Sequence, residues 1–375
     1  DLPSFPTRRS SDLSLTGRSA PGDDLRSLLA LPTRLGGLGI INPVEALSEE
    51  HAHSQHITEP LTSLIQQQLP SVGDACIVVT TRKRSVATRK RKALSDIATA
   101  LKPKLIPSLQ RAVVVSEDRG ASHWLAALPL AEHGYALTKG SFRDALCLRY
   151  GWQPDHLPSR CVCGDDFTID HAMCCPTGGY PSIRHNELRD LTASLLTEVC
   201  CDVQTEPVLQ PLSGEVLDGR TCNRQPEARL DVCASGFWGD RHARAFFDVR
   251  VFHPNARSSR HLPLPTLYHR HERTKRRQYE QRVIDIEHSS FTPLVFSTAG
   301  GMGPAATVAY KRLASLLAEK LDMTYSSVVC WLRCRLSFAL LRSAVMCLRG
   351  TRRRFPATEI LPALAVAEGR LPQSA

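Results

Sequence analysis

Four cysteines and a histidine crowd into one short stretch, Cys161-Val-Cys163, His171 and Cys174-Cys175. Thiolates and an imidazole are the ligands that suit tetrahedral zinc, and Gly164 permits a tight turn between the first pair and the rest. Either Cys174 or Cys175 could be the fourth ligand, and His185 could replace or supplement one. The Cys-x-Cys opening departs from the commoner Cys-x-x-Cys, which leaves buried free thiols as the alternative. A closed four-ligand set has no position for water, so the expected zinc is structural and stiffens the chain that follows.

A second constellation is acidic. Asp231 sits in ARLDVCA and Asp248 in AFFDVRVF, each a carboxylate inside an otherwise apolar strand pattern. Burying two carboxylates is costly unless something positive neutralises them, and a divalent ion such as magnesium, with its preference for hard oxygen ligands, would do so. Pairing with Arg229 or Arg250 is the alternative. Arg250 follows Asp248 by two positions, so both point to one strand face, where a guanidinium could neutralise a phosphate but could not act as a base. Lys275 and Tyr279 are one turn apart on the next expected helix; surface residues would show the same spacing. Between Arg241 and Arg282 eleven lysines and arginines face three acids, Asp248, Glu272 and Glu280. An acidic metal pocket ringed by positive charge is what phosphodiester cleavage needs.

Gly164-Asp165-Asp166-Phe167 looks like a polymerase acidic turn, but cysteines and a histidine flank it and the chain before it has no room for polymerase elements. These aspartates are read as solvated loop residues.

The elements that must position these groups follow from periodicity. Pro43 to Gln68, Leu109 to Arg119 and Ser141 to Tyr150 read as helices, the last ending at Gly151. His185 to Cys201 is helical, and then the period changes: Val203–Leu209, Ala228–Ala234 and Ala245–Phe252 read as strands. A polar helix from Tyr268 to Glu287, a strand Thr292–Ser297 and a helix Ala305–Leu321 complete the order, and Ser326 to Leu348 is an apolar helix or helix pair forming a cap. Short links favour antiparallel pairing of the first three strands, and the returning helix favours a parallel fourth. The expected fold class is α/β, a mixed sheet flanked by helices, preceded by a metal hairpin and a helical region.

The chain has 375 residues with 42% apolar and 22% charged side chains, which excludes a wholly disordered polypeptide. A net charge of +10 points to a polyanion. Seven basic residues between Arg82 and Lys92 form either a phosphate-facing or import surface or a solvated helix face. The longest uncharged stretch, Ser289 to Tyr310, is broken by prolines and glycines, so no membrane span is expected. Thirteen cysteines, an odd count with only one cluster, suggest reduced intracellular thiols. Asp1 to Leu13, DLPSFPTRRSSDL, resembles the translation of a sequencing-library adaptor and is set aside; with no methionine before Met173, a carboxy-terminal fragment of a longer protein is expected.

From Leu31 to about Arg354 the chain resembles the carboxy-terminal part of non-LTR retrotransposon polyproteins that carry a restriction-enzyme-like endonuclease. LPTRLGGLGI at Leu31 to Ile40 is similar to the segment closing their reverse transcriptase, CVCGDDFTIDHAMCC to their Cys-Cys-His-Cys knuckle, and RHNELRD at Arg184 to Asp190 to the helix opening their nuclease. The resemblance implies a PD-(D/E)xK fold, a metal-dependent DNA endonuclease that nicks target DNA to prime reverse transcription, and the nucleus as its compartment. It implies Asp231 and Asp248 as acids binding magnesium or manganese, and Lys275 and Tyr279 as the downstream pair. Leu230 replaces the usual proline, and Arg250 stands where the simplest motif has lysine. Glu206, in the first strand, is favoured over Glu187 as a further acid, with a salt bridge as its alternative. The implied division is 1–13 adaptor, 14–150 helical remnant of the polymerase tail, 155–184 zinc knuckle, 185–325 endonuclease, and 326–375 helical cap and basic tail. Implied partners are the DNA target and, through an upstream polymerase region, the element's RNA. The competing reading is a non-catalytic, zinc-stabilised nucleic-acid-binding module from a decayed or repurposed element.

Overall fold

A computed structural model of the protein describes residues 22–68, 73–211 and 228–352. The adaptor-like Asp1 to Leu13 lies outside them, as does the tail expected to open with Arg352, Arg353 and Arg354, apart from Arg352 itself, which is buried. The chain divides between Glu117 and Asp118 into two compact units.

The first unit is helical. It contains α1 (Asp23–Ala30), α2 (Pro43–Gln67), α3 (Gly73–Leu101) and α4 (Pro107–Ser116). The Asn42 side chain accepts from the Val44 N–H, and Pro43 has its ring at a position where no N–H is needed, so α2 starts there. Along α3 the buried residues are Ala75, Val79, Val86, Ala98 and Leu101, a narrow seam with most of the helix surface in water. Arg82 pairs with Glu59 and Lys90 with Glu50, each at 2.5 Å, which fixes α2 and α3 as antiparallel neighbours.

The second unit opens with α5 (His123–Ala126), α6 (Lys139–Tyr150), α7 (Ile169–Cys174) and α8 (Tyr180–Thr197). Strands β1 (Cys201–Thr205), β2 (Val232–Ser235) and β3 (Arg244–Phe252) follow, then α9 (Leu264–Asp285), β4 (Ser290–Ser297), α10 (Pro304–Leu321) and α11 (Tyr325–Arg349). The sheet order is β1-β2-β3-β4, antiparallel across the first two pairs and parallel across the last. The mixed α/β class, the helix order and the pairing senses agree with the periodicity.

Strand alternation sorts β3 onto two layers. Phe247 and Val249 face a core built with Leu188 and Leu196 of α8, Leu313 and Leu317 of α10, and Leu332, Leu336 and Leu340 of α11. Phe246 faces the other way, into a smaller cluster with Leu209, Leu230, Cys233, Val283 of α9 and Phe291. Asp248 shares the Phe246 side, and that is why it meets α9.

Two strands are shorter than their patterns. β1 stops at Thr205 because Glu206 turns to φ +51° and Pro207 has no N–H for a ladder; beyond it the pairing is irregular, with the Glu206 N–H donating to Asp231 O, the Leu230 N–H to Pro207 O, and an isolated bridge Val208 to Arg229. β2 begins at Val232, so Asp231 lies just ahead of the strand and not inside it. Helix α8 starts at Tyr180, five residues before the expected His185, with Gly179 at φ +73° turning the chain into it.

Residues 118–150, grouped by the sequence with the upstream helices, pack in the second unit. Arg349 grips buried Asp144 with Nε and Nη2 at 2.7 and 2.5 Å, Trp124 N–H donates to Ser337 Oγ, and Tyr135 stacks on Phe338 at 4.8 Å. Helix α11, expected as an apolar packed cap, contributes Leu332, Leu336 and Leu340 to the sheet's own core. Leu340, fully buried, tests this: Leu340→Ala should cost about 2–5 kcal/mol in a urea titration followed by circular dichroism. A loss below about 1 kcal/mol would contradict that packing.

Candidate metal centre and acidic pocket

The first ligand pair sits on a tight hairpin. Cys161 N–H donates to Asp165 O at 2.8 Å, Gly164 N–H to Cys161 O at 2.9 Å, and Gly164 takes φ +100°, where a side chain would be strained. The second pair comes from α7. Thr168 caps that helix by accepting from the His171 N–H, and Cys175 follows its last turn, its N–H donating to His171 O. Residues four apart share a helical face, so His171 and Cys175 turn together toward the hairpin.

The donor atoms of Cys161, Cys163, His171 and Cys175 all lie within 4.8 Å of one another. Cys161 Sγ is 3.8 Å from Cys175 Sγ, Cys175 Sγ is 3.9 Å from Cys163 Sγ, and Cys163 Sγ is 3.4 Å from His171 Nε2. A zinc tetrahedron with Zn–S of about 2.3 Å has S···S edges of about 3.8 Å, whereas a disulfide would need about 2.05 Å. The four groups are spaced for an ion and could hold zinc. Cys175 therefore completes the set; Cys174 is outside it, and His185 is elsewhere. His171 Nδ1 faces Asp165 Oδ2 at 3.6 Å, so this aspartate, expected to be a solvated loop residue, stands where a carboxylate orients a ligating imidazole.

Two buried arginines back the cluster. Arg184 donates to Met173 O, and Arg352 donates to Ala172 O and lies over the rings of Phe167 and Tyr180. Among the described residues neither has a carboxylate within ion-pair distance. Three thiolates and one divalent ion carry a net negative charge, which would offset such cations. Desolvation tends to raise the Cys175 thiol, but hydrogen bonds from Thr177 and from the neighbouring thiols outweigh it and hold its pKa below the ordinary value.

The acidic pocket forms where the sheet opens. The β2–β3 ladder ends at Val232 opposite Phe247; one step further Asp231 lies across from Asp248. There the Asp231 side chain takes over from the backbone, Oδ2 accepting from Val249 N–H at 2.6 Å and Oδ1 meeting His185 Nε2 at 2.9 Å. Asp248 is 4% exposed, with Lys275 Nζ 3.2 Å from Oδ1 and 2.9 Å from Oδ2, although Oδ2 makes no hydrogen bond. Lys275 also lies 5.4 Å from the Tyr279 ring centre, confirming that the two share one face of α9. Burial, helped by Asp231 and opposed by Lys275, pushes the Asp248 carboxyl up to about 6. Burial works to lower the Lys275 ammonium, but the charge and hydrogen bond of Asp248 prevail and raise it.

The other expected residues divide. Arg250 is exposed on the Asp248 side of β3. Glu206 is tied to Asp231 through its backbone, N–H to O at 2.9 Å, but its carboxylate is held by Arg189 of α8. Glu187 shares its surroundings with Arg184 and Arg342 and is raised by burial. The residue that sequence reasoning misplaced is His185. Its signal was the position at the start of RHNELRD, one turn before Arg189, which puts both on the face of α8 that meets Asp231 and Glu206.

No protein-family model matches the chain, and a search of curated proteins gives no match. Fold and sites together define a mixed α/β protein with a Cys3His cluster able to hold zinc. Among the described residues no helix is long and apolar enough to cross a membrane.

Zinc content gives one prediction. Purified protein should carry one zinc per chain by mass spectrometry of the metal; Cys175→Ser should lose it and Cys174→Ser should retain it. Equal loss in both variants would contradict the geometry. A second concerns charge around α9. Burial, with Arg250, Arg270 and Lys275 adding to it, lowers the His271 imidazole to about 4. Because the folded pKa lies below the unfolded one, any stability tied to His271 is complete above about pH 6.5 and lost as pH falls toward 4. Its ring resonances should titrate near 4 in an NMR experiment, and near 6.5 if the ring is neither buried nor beside these cations.

Proposed function

We propose that the chain is the nuclease-bearing part of a non-LTR retrotransposon polyprotein, in which a zinc knuckle precedes a restriction-endonuclease-like domain that nicks target DNA for priming. The observation that carries this reading is buried Asp248, paired with Lys275 and standing across from Asp231 where the sheet opens. The order helix, three strands, helix, strand supports it, as do the resemblances at LPTRLGGLGI, CVCGDDFTIDHAMCC and RHNELRD. Asp231 and Asp248 would hold magnesium or manganese; the unbonded Asp248 Oδ2 and the hard-oxygen donor set fit such an ion. When bound, the ion would supply Lewis-acid activation of a phosphodiester and its attacking water.

The chain's own groups divide the remaining work. His185 and the Val249 N–H orient Asp231. Lys275 presents a positive charge beside Asp248, where charge would build on a reacting phosphate. Tyr279 limits the swing of that ammonium, and Glu206, bound by Arg189, positions this arginine beside Asp231. Arg270, Arg273 and Arg277 form an exposed stripe along α9, spaced three and four residues apart, and would track a DNA backbone. The nucleus is the compartment this reading assigns.

One observation favours the non-catalytic alternative. Asp248 and Glu206 each already have a cationic side-chain partner, and Asp231 is already held by the His185 ring, as in a purely structural network. Nicking of supercoiled plasmid in magnesium or manganese separates the two. Asp231→Ala and Asp248→Asn should each lower the rate by about 100-fold or more with DNA affinity kept, and Lys275→Ala should lower it more than Arg276→Ala. Nicking that persists in both aspartate variants would reject the nuclease, as would its absence when the upstream polymerase region is supplied.

A further inference from the structure

The basic run of α3 has two populations. Arg82 and Lys90 turn to α2 and meet Glu59 and Glu50 there. Lys83, Arg84, Arg89, Arg91 and Lys92 are exposed, and among the described residues none of them has an ion-pair partner. A solvated helix face usually interleaves acids at three- and four-residue spacings; here no acid occurs from Arg82 to Lys92, and Arg89 and Lys92 are like-charged neighbours. The seam is supplied with carboxylates and the outer ridge is not.

We propose that the outer ridge of α3 is a binding surface for the phosphate backbone of double-stranded nucleic acid, separate from the α9 stripe and independent of whether the acidic pocket is catalytic. The occupant follows from what the ridge contains and lacks. From Thr80 to Ser95 there is no aromatic side chain to stack on an unpaired base, and no asparagine or glutamine to read a base edge. Ser85, Ala87 and Thr88 between the cations are short, and the Thr88 hydroxyl is already bonded to Arg84 O. Lysine and arginine alone hold phosphates without sequence information. Lys83 and Lys92 are nine residues, about two and a half turns, apart, so they stand on opposite flanks of the helix with Arg84 and Arg91 between them, placed to contact phosphates on both sides of a major groove about 12 Å wide.

The test uses the full chain carrying Asp248→Asn, so that a bound duplex stays intact, and measures fluorescence anisotropy of a labelled 20-base-pair duplex of arbitrary sequence over a salt series. Replacing Lys83, Arg84, Arg91 and Lys92 by alanine should make the slope of log affinity against log salt shallower by about three to four, since each lost phosphate contact removes about 0.9. A control removing the same charge elsewhere, at Lys104, Lys139, Arg257 and Lys311, should leave the slope within about one. These residues are all exposed, so circular dichroism should show unchanged helicity. An unchanged slope in the ridge variant overturns the proposal, as does an equal change in the control, which marks general stickiness. Binding to phosphatidylserine vesicles that depends on the ridge, with duplex binding unaffected, overturns it in favour of a membrane surface.

Discussion

The acidic pocket depends on one unfavourable act, the burial of the Asp248 carboxylate in the middle of β3. A charged group there needs a cation within reach, and α9 supplies Lys275 from across the smaller hydrophobic cluster. Much of the second unit follows from that demand. Val283 and Phe246 pack so that α9 lies along the Asp248 face, and Tyr279 flanks the ammonium one turn away. Asp231 is held at the same level by giving up ladder pairing and accepting the Val249 N–H with its side chain. Lys275 does not fully satisfy the pocket, for Asp248 Oδ2 keeps no hydrogen bond and the carboxyl remains well above its ordinary pKa.

The cysteine cluster and the sheet are mechanically linked through α7. Asp170, next to His171, meets His253 Nε2 at 2.8 Å, and the other ring nitrogen of His253 meets Thr298 Oγ1 at 2.9 Å. His253 follows β3 and Thr298 follows β4, so one imidazole joins the ends of both parallel strands to the helix that carries His171 and leads into Cys175. Arg184 and Arg352 attach the same helix to α8 and α11 by its last carbonyls. The hairpin is thus a corner of the second unit, held by α7, α8 and α11.

The long elements of the second unit were legible because their apolar positions recur with one period over many residues: α8, β3, α9, β4, α10 and α11 all lie within a few residues of their patterns, whereas α3, the longest helix described, buries too narrow a seam to show one. The ends of β1 and β2 were not, because a side chain and a proline compete there with the ladder, and periodicity counts apolar residues without seeing either competitor. The zinc ligands were legible as a set, but the choice between Cys174 and Cys175 needed the short helix α7. Asp231 and Asp248 stood out by residue type and spacing, but the cation beside Asp248 did not: Arg229 and Arg250 were the nearby candidates in sequence, and Lys275 reaches it from α9. The capture of Glu206 by Arg189, and the contact of His185 with Asp231, depend on how α8 is rotated against β1, and no local pattern records that. The boundary near Glu117 was hidden for a similar reason, since Asp144 and Arg349 are joined across 205 positions.

The glycine-rich turn before α10, Gly300-Gly301-Met302-Gly303, has the order strand, glycines, helix that elsewhere seats a phosphate on a helix N-terminus. Here the seat is filled by the protein itself. Glu272 Oε1 of α9 accepts from the Ala305 N–H at 2.8 Å, and a Cβ on Gly303 would stand 2.5 Å from that same oxygen. A Cβ on Gly301 would fall 1.9 Å from Asp118 Oδ2, which is hydrogen-bonded to Tyr268 of α9. The glycines therefore let α9 approach the loop closely, and a carboxylate already satisfies the helix dipole. Among the described residues, two clusters of exposed cations likewise have no ion-pair carboxylate of their own: the arginine stripe of α9 and the outer face of α3.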